Sequence, residues 1–168
     1  MRLRPFIRSR DFDLIRNWIT DERAHAMWCA NLIGYPLEED NFDKVMAYAA
    51  EHFGDSPYVA TEDDGKAVGF FCYSVNPATN EGMLKFVMVD PALRGRGIGQ
   101  EMLRLAVRYA FEITGADAVQ LNVFPENTRA VRCYEHAGFT ERRTDPDAFV
   151  FGEETWGRRN MVIRKEPD

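Results

Sequence analysis

The chain has 168 residues, 45% hydrophobic and 29% charged, with 27 acids against 21 bases and a net charge of -6. That length and balance predict one globular domain over residues 1–168 with a real core. The acidic balance argues against general nucleic-acid binding, and no apolar run is long enough to span a bilayer, so neither partner is expected.

In chain order, "LRPFI" reads as a short edge strand, because Pro5 cannot donate to a ladder. Asp11 is expected to cap a helix over "FDLIRNWIT". Residues 21–37 have weak periodicity and read as irregular or short helix. "EEDNFDKVMAYAAEHF" reads as a helix stopped by Gly54. "PYVAT" and "AVGFFCYSV" are β-rich runs, and Asp64-Gly65 between them predicts a hairpin. "MLKFVMV" has the apolar character of a strand covered on both faces.

The next helix carries Ile98, Met102, Leu105, Tyr109 and Ile113 on its expected apolar side, and Gly115 ends it. "AVQLNVF" is a strand. "NTRAVRCYEHA" is a short helix capped by Asn127 and closed by Gly138. "FTERR" and "RNMVIRK" are final strands, with "TDPDAFVFGEETW" between them ambiguous. The order predicts a mixed α/β fold with one sheet.

"RGRGIG", residues 94–99, lies between a strand and the long helix. It is no P-loop, since no Gly-Lys-Ser/Thr follows. It is no dinucleotide fingerprint either: the glycines fall at 95, 97 and 99, and "DPALR" separates them from the strand. Arg94, Gly97 and Gly99 do fit Arg/Gln-x-x-Gly-x-Gly/Ala. Glycines let a pyrophosphate approach the backbone, and the free amides of a helix N-terminus favour an anion. A second stretch, "NTRAVRCYEHAGF", fits Asn-x-x-Ala-x-x-x-Tyr-x-x-x-Gly-Phe at Asn127, Ala130, Tyr134, Gly138 and Phe139.

Together these two motifs resemble the GNAT superfamily of acyl-CoA-dependent N-acetyltransferases, most closely its ribosomal-protein and aminoglycoside branches. The likeness is strong over residues 82–140. It implies a central, mostly antiparallel sheet of six to seven strands flanked by about four helices, with two strands splayed into a CoA cleft. It implies acetyl transfer from acetyl-CoA to an amine acceptor, a small molecule or a protein N-terminus, by direct attack in a ternary complex. The backbone of Val87, Met88 and Val89 would pair with the pantetheine arm. Gly95, Arg96, Gly97, Ile98, Gly99 and Gln100, with Arg94 beside them, would surround the pyrophosphate. Asn127 would hold the pantetheine region, and Tyr134 would protonate the departing thiolate. A homodimer is also compatible with the family.

Each residue has a plainer reading: Asn127 as a helix cap, Tyr134 as packing against the sheet, Arg94 and Arg96 as solvated charges. The residues that usually serve as base in this family are missing: Asn122 stands five residues before Asn127, and "MLKFV" holds no acid. Water on a backbone carbonyl, Glu81, or an acid of "TDERAH" or "PLEED" stays open as base, as does an amine that binds already neutral. The missing base leaves a non-catalytic acyl-CoA-binding module as the alternative.

His52 and His136 read as surface residues, and His25 lies in the acceptor region. Trp18 and Trp28 read as core or pocket wall. Cys133 is expected in the core. With Cys29 and Cys72 it forms an odd, scattered set, giving neither disulfides nor a metal site. That set, and the absence of a secretory signal in "MRLRPFIRSR", predict a cytoplasmic protein.

Overall fold

A computed structural model of the chain describes residues 1–168. The elements run β1 (Arg2–Pro5), α1 (Arg8–Trp18), α2 (Glu22–Cys29), α3 (Glu39–Phe53), β2 (Ser56–Thr61), β3 (Ala67–Asn76), β4 (Glu81–Val89), α4 (Ile98–Glu112), β5 (Ala118–Val123), α5 (Thr128–His136), β6 (Thr140–Phe151) and β7 (Glu154–Arg164). The strands form one seven-stranded sheet in the order β1-β2-β3-β4-β5-β7-β6. All neighbours are antiparallel except β4 and β5, which are parallel. The expected mixed sheet is present, with five α-helices instead of about four. The addition is α2, whose start is fixed by Asp21: its carboxylate accepts the Ala24 N–H at 2.7 Å.

The sheet has a hydrophobic layer on each face. α4 and α5 cover one face, where Phe71, Tyr73, Val119 and Leu121 meet Met102, Leu103 and Ala106. α1 to α3 cover the other, where Phe70 and Cys72 meet Phe12, Ile15 and Phe42. β3 supplies both layers by strand alternation, which is why it reads as an unbroken apolar run.

Three expectations change. Asp11 does not cap α1. The helix begins at Arg8, with Ile7 in the cap position. The Asp11 carboxylate reaches back to the Ile7 N–H at 2.8 Å and accepts both ends of the Arg4 guanidinium at 2.7 and 2.8 Å. Burial by itself would raise this carboxyl, but the Arg4 and Ile7 contacts outweigh it and hold the pKa below the usual carboxylate range.

The buried face of α4 is also rotated from the expected stripe. It comprises Ile98, Met102, Leu103, Ala106, Val107 and Ala110, while Ile113 is 70% exposed. Small alanines let the helix lie close on the sheet, and a search for large side chains at helical spacing overlooks them. Finally, the ambiguous "TDPDAFVFGEETW" is the outer half of a long β6–β7 hairpin. β6 is an edge strand, so its charges and Pro146 face solvent and suppress the alternation expected of a strand.

Candidate active site

β4 and β5 run together only from Glu81–Leu84 against Ala118–Leu121. Beyond Leu84 they part. The cause is local: the β3–β4 register shifts opposite Phe71, and Phe86 has φ +54°. This bulge breaks the two-residue alternation, so Leu84 and Phe86 fall in opposite core layers. Trp28 fixes the bulge from α2, its indole N–H donating to the Phe86 carbonyl at 2.8 Å. Past the bulge, Asp90 donates its N–H to Val68 O, toward β3. Because antiparallel amides alternate sides, Val87 and Val89 turn theirs into the gap, and Met88 turns its own toward β3. Of the three residues expected to offer backbone there, two are aimed to do so.

The gap opens into a cleft of about 1330 Å³. At one end is the start of α4. Gly97 caps it at φ +73°, a left-handed geometry that L-residues adopt only with strain, so the chain turns directly into the helix. The Ile98, Gly99 and Gln100 amides have no partner inside the helix. Gly99 is required for a different reason than closeness to an anion. A Cβ there would stand 2.9 Å from Cys133 Sγ and 3.5 Å from Val89 Cγ2, so glycine lets α4, α5 and β4 converge. Arg94, Arg129 and Arg132 line the same end, without an acidic partner. Burial, with Arg129 nearby, lowers the Arg94 pKa from its ordinary value. Unpaired cations beside free helix amides favour negative charge at this end.

α5 forms the opposite wall. Asn127 is its N-cap, accepting the Ala130 N–H at 3.3 Å, and it also lines the cleft. Tyr134 is 7% exposed, yet it lines the cleft and its hydroxyl has no hydrogen-bond partner within the protein. Burial pushes its phenol well above the usual value, with Cys133 a smaller contributor. Burial raises the Cys133 thiol as well. Cys133 is therefore a cleft-wall residue, where sequence reading expected a core residue.

Of the expected site residues, Val87, Met88, Val89, Arg94, Gly95, Gly97, Ile98, Gly99, Gln100, Asn127 and Tyr134 line the one cleft, and Arg96 lies outside it.

The acetyltransferase (GNAT) family model matches residues 10–139. The chain belongs to the GNAT acetyltransferase family. It is 32% identical to the mycothiol acetyltransferase of Mycobacterium leprae over 123 residues, which is 70% of this chain and 38% of that protein. The chain thus spans well under half the length of that curated relative. It is 31% identical over 111 residues to an uncharacterized N-acetyltransferase of Methanocaldococcus jannaschii, 66% of this chain and 67% of that one. In fold it resembles the spermidine N-acetyltransferase of Vibrio cholerae solved with CoA and spermine. That pair superposes with a TM-score of 0.79 at 21% identity, covering 97% of this chain and 94% of the other.

This GNAT domain answers part of the question about the base. Glu81 is held by Arg142 at 3.2 Å and Gln120 at 2.9 Å, away from the cleft. Glu38, Glu39 and Asp40 are likewise outside it. Asn122 lines the cleft as an amide whose oxygen accepts from Asn160 at 3.1 Å. Two carboxylates do line it: Asp21, engaged as the α2 cap, and Glu126, which sequence reading overlooked. Glu126 accepts the Gly157 N–H at 3.1 and 3.3 Å and has no cation partner. Its signal was adjacency to Asn127 at the mouth of α5. His25 is fully buried, bound to Ile33 O at 2.7 Å, and does not reach the cleft. His136, expected on the free surface, does line it and contacts Gln100 at 3.2 Å. No group of three or more metal-binding side chains occurs, and no helix is long and apolar enough to cross a membrane.

Proposed function

We propose that this chain is an N-acetyltransferase that moves the acetyl group of acetyl-CoA to an amine, acting through residues 1–168 as one domain. The observation that carries the reading is the β4–β5 gap, which joins an anion site at the α4 N-terminus to the unpartnered Tyr134 hydroxyl. The free amides of Ile98 to Gln100 and the Arg94 side chain suit the pyrophosphate. The Val87 and Val89 backbone suits the pantetheine amides, as an added strand.

The chemistry is a direct displacement. The neutral amine attacks the thioester carbonyl, the new C–N bond forms, and the C–S bond breaks with its electron pair leaving on sulfur. Tyr134 gives its proton to that thiolate and is reprotonated from solvent. The amine's surplus proton goes to Glu126, directly or through water. An ordinary phenol near 10 is a weak donor to a thiol near 8.5. Burial raises the Tyr134 phenol further, so its contribution comes from position and timing, as a factor in rate and not an absolute requirement.

The test is thiol release from acetyl-CoA in the presence of a panel of primary amines. Amine-dependent release supports the reading. Tight acetyl-CoA binding without release on any amine favours a non-catalytic binding module instead.

A further inference from the structure

Three of the five arginines that line the cleft sit at its anion end, and they differ from the other two. Arg23 and Arg158 pair with Glu154 and Asp145. Arg94, Arg129 and Arg132 have no acidic partner. Burial, and then the charge of Arg129, lowers the Arg94 pKa, so like charges are held close in a chain whose net charge is -6. α5 is turned so that its arginines meet the head of α4. Cys133 faces Gly99, where an added Cβ would stand 2.9 Å from its Sγ, and His136 contacts Gln100 at 3.2 Å. Arg129 precedes Cys133 by four residues and Arg132 precedes His136 by four, so both lie one turn back along that stripe. The pyrophosphate, held by the α4 amides and Arg94, leaves these two unused.

We infer that Arg129 and Arg132 hold the 3′-phosphate of the coenzyme, and that the protein selects 3′-phosphorylated acyl donors over dephosphorylated ones. The inference rests on acetyl-CoA binding in this cleft and adds a second anion subsite to it. Two of the coenzyme's phosphates form the pyrophosphate, and the third stands on the adenosine ribose, one sugar away. That third group is a monoester with a charge of about -1.5 to -2 at neutral pH and three open oxygens. Each pyrophosphate unit carries a single charge, which backbone amides suit; a terminal phosphate suits guanidinium forks. Both α5 arginines are exposed, within one helical turn of the α4 head, and carry forks that nothing in the chain engages. Like charges gathered on one stripe repel each other, and a dianion bound between them removes that repulsion. Arg96 has the same charge but lies outside the cleft, which makes it the control for the general field.

Calorimetry compares acetyl-CoA with 3′-dephospho-acetyl-CoA for the parent chain, for Arg129→Gln with Arg132→Gln, and for Arg96→Gln. Failure of the parent to bind acetyl-CoA would remove the coenzyme reading itself, and this inference with it. The parent is expected to bind acetyl-CoA about tenfold more tightly than the dephospho form, a preference that shrinks as salt rises. The double variant loses the preference: its affinity for acetyl-CoA falls to that for the dephospho form, and its affinity for the dephospho form is unchanged. Arg96→Gln keeps the full preference. Glutamine preserves a long helix-forming side chain at each position. Should the pair misfold, each single variant gives the same readout, with part of the preference lost. Equal affinity of the parent for the two donors overturns the inference. So does a double variant that still distinguishes them, or one that binds both more weakly to the same degree.

Discussion

The two ends of the cleft are made differently. The anion end is built from backbone: the α4 amides, the left-handed turn at Gly97, and the Val87 and Val89 amides freed by the Phe86 bulge. The far end is built from side chains contributed by α2, the β5–α5 loop and the β6–β7 hairpin. Backbone recognition restricts sequence sharply, because only glycine tolerates certain positions. Side-chain recognition restricts it only to "large and apolar", which any core also satisfies. The first end can be shared across a family while the second varies between its members.

This contrast can be broken by substitutions whose effects are read separately on acetyl-CoA affinity and on turnover of amine. The largest effect is expected from Tyr134→Phe at the junction of the two ends. It should lower kcat by about 10²-fold, within the range for a general acid, while acetyl-CoA affinity stays the same. The pH profile carries a further signature. A tyrosine acts as an acid only below its pKa, and burial pushes that pKa upward. Activity should therefore rise from neutral pH as the amine deprotonates, with no alkaline loss from Tyr134 below about 10. An alkaline limb near 9 in the parent that disappears in Tyr134→Phe would show that the phenol is not raised.

A smaller effect should come from Gly99→Ala, confined to the anion end. The new Cβ meets Cys133 Sγ at 2.9 Å and has to push α4 from α5. Overpacking of that kind costs about 1–3 kcal/mol, enough for about a tenfold loss of acetyl-CoA affinity. Adding Cys133→Ala removes the sulfur and should recover most of the loss. Failure of the double variant to recover would mean that Gly99 matters for its approach to the ligand instead of for helix convergence. The smallest effect should come from Trp28→Phe, which removes the hydrogen bond to the Phe86 carbonyl. Loss of one such bond is worth about 1 kcal/mol. It should appear as acetyl-CoA affinity weakened about fivefold, because the bulge aims the Val87 and Val89 amides, together with a raised KM for the amine, in steady-state kinetics with each substrate varied in turn.

The same division explains what the sequence disclosed. The turn at Gly97 and the Asn127 cap announce themselves because few residues can take those backbone roles. The Phe86 bulge does not, since nothing in "MLKFVMV" marks a positive φ at a phenylalanine. The bulge is imposed by packing on Trp28 and by β3, which are distant in sequence. Glu126 was passed over because a charged loop residue is ordinarily solvated, and its bond to Gly157 depends on the hairpin 31 residues away. The aromatic wall was divided among segments read separately: Trp18 in a helix, Trp28 in an irregular stretch, Phe124 in a strand and Phe149 in an ambiguous run. Its rings come together only through the edge strand β6 folding back on β7. Gly99 was legible as a glycine but not for its reason, which is the sulfur of a neighbouring helix.

The central claim is that the gap left by β4 and β5 binds acetyl-CoA through the amides at the head of α4. Titrating acetyl-CoA into the parent chain and into Gly99→Ala by calorimetry tests it most directly. One-to-one, saturable binding in the parent, weakened about tenfold in the variant, is the predicted result. No heat of binding at millimolar acetyl-CoA, or equal affinity in a folded Gly99→Ala protein, would contradict it.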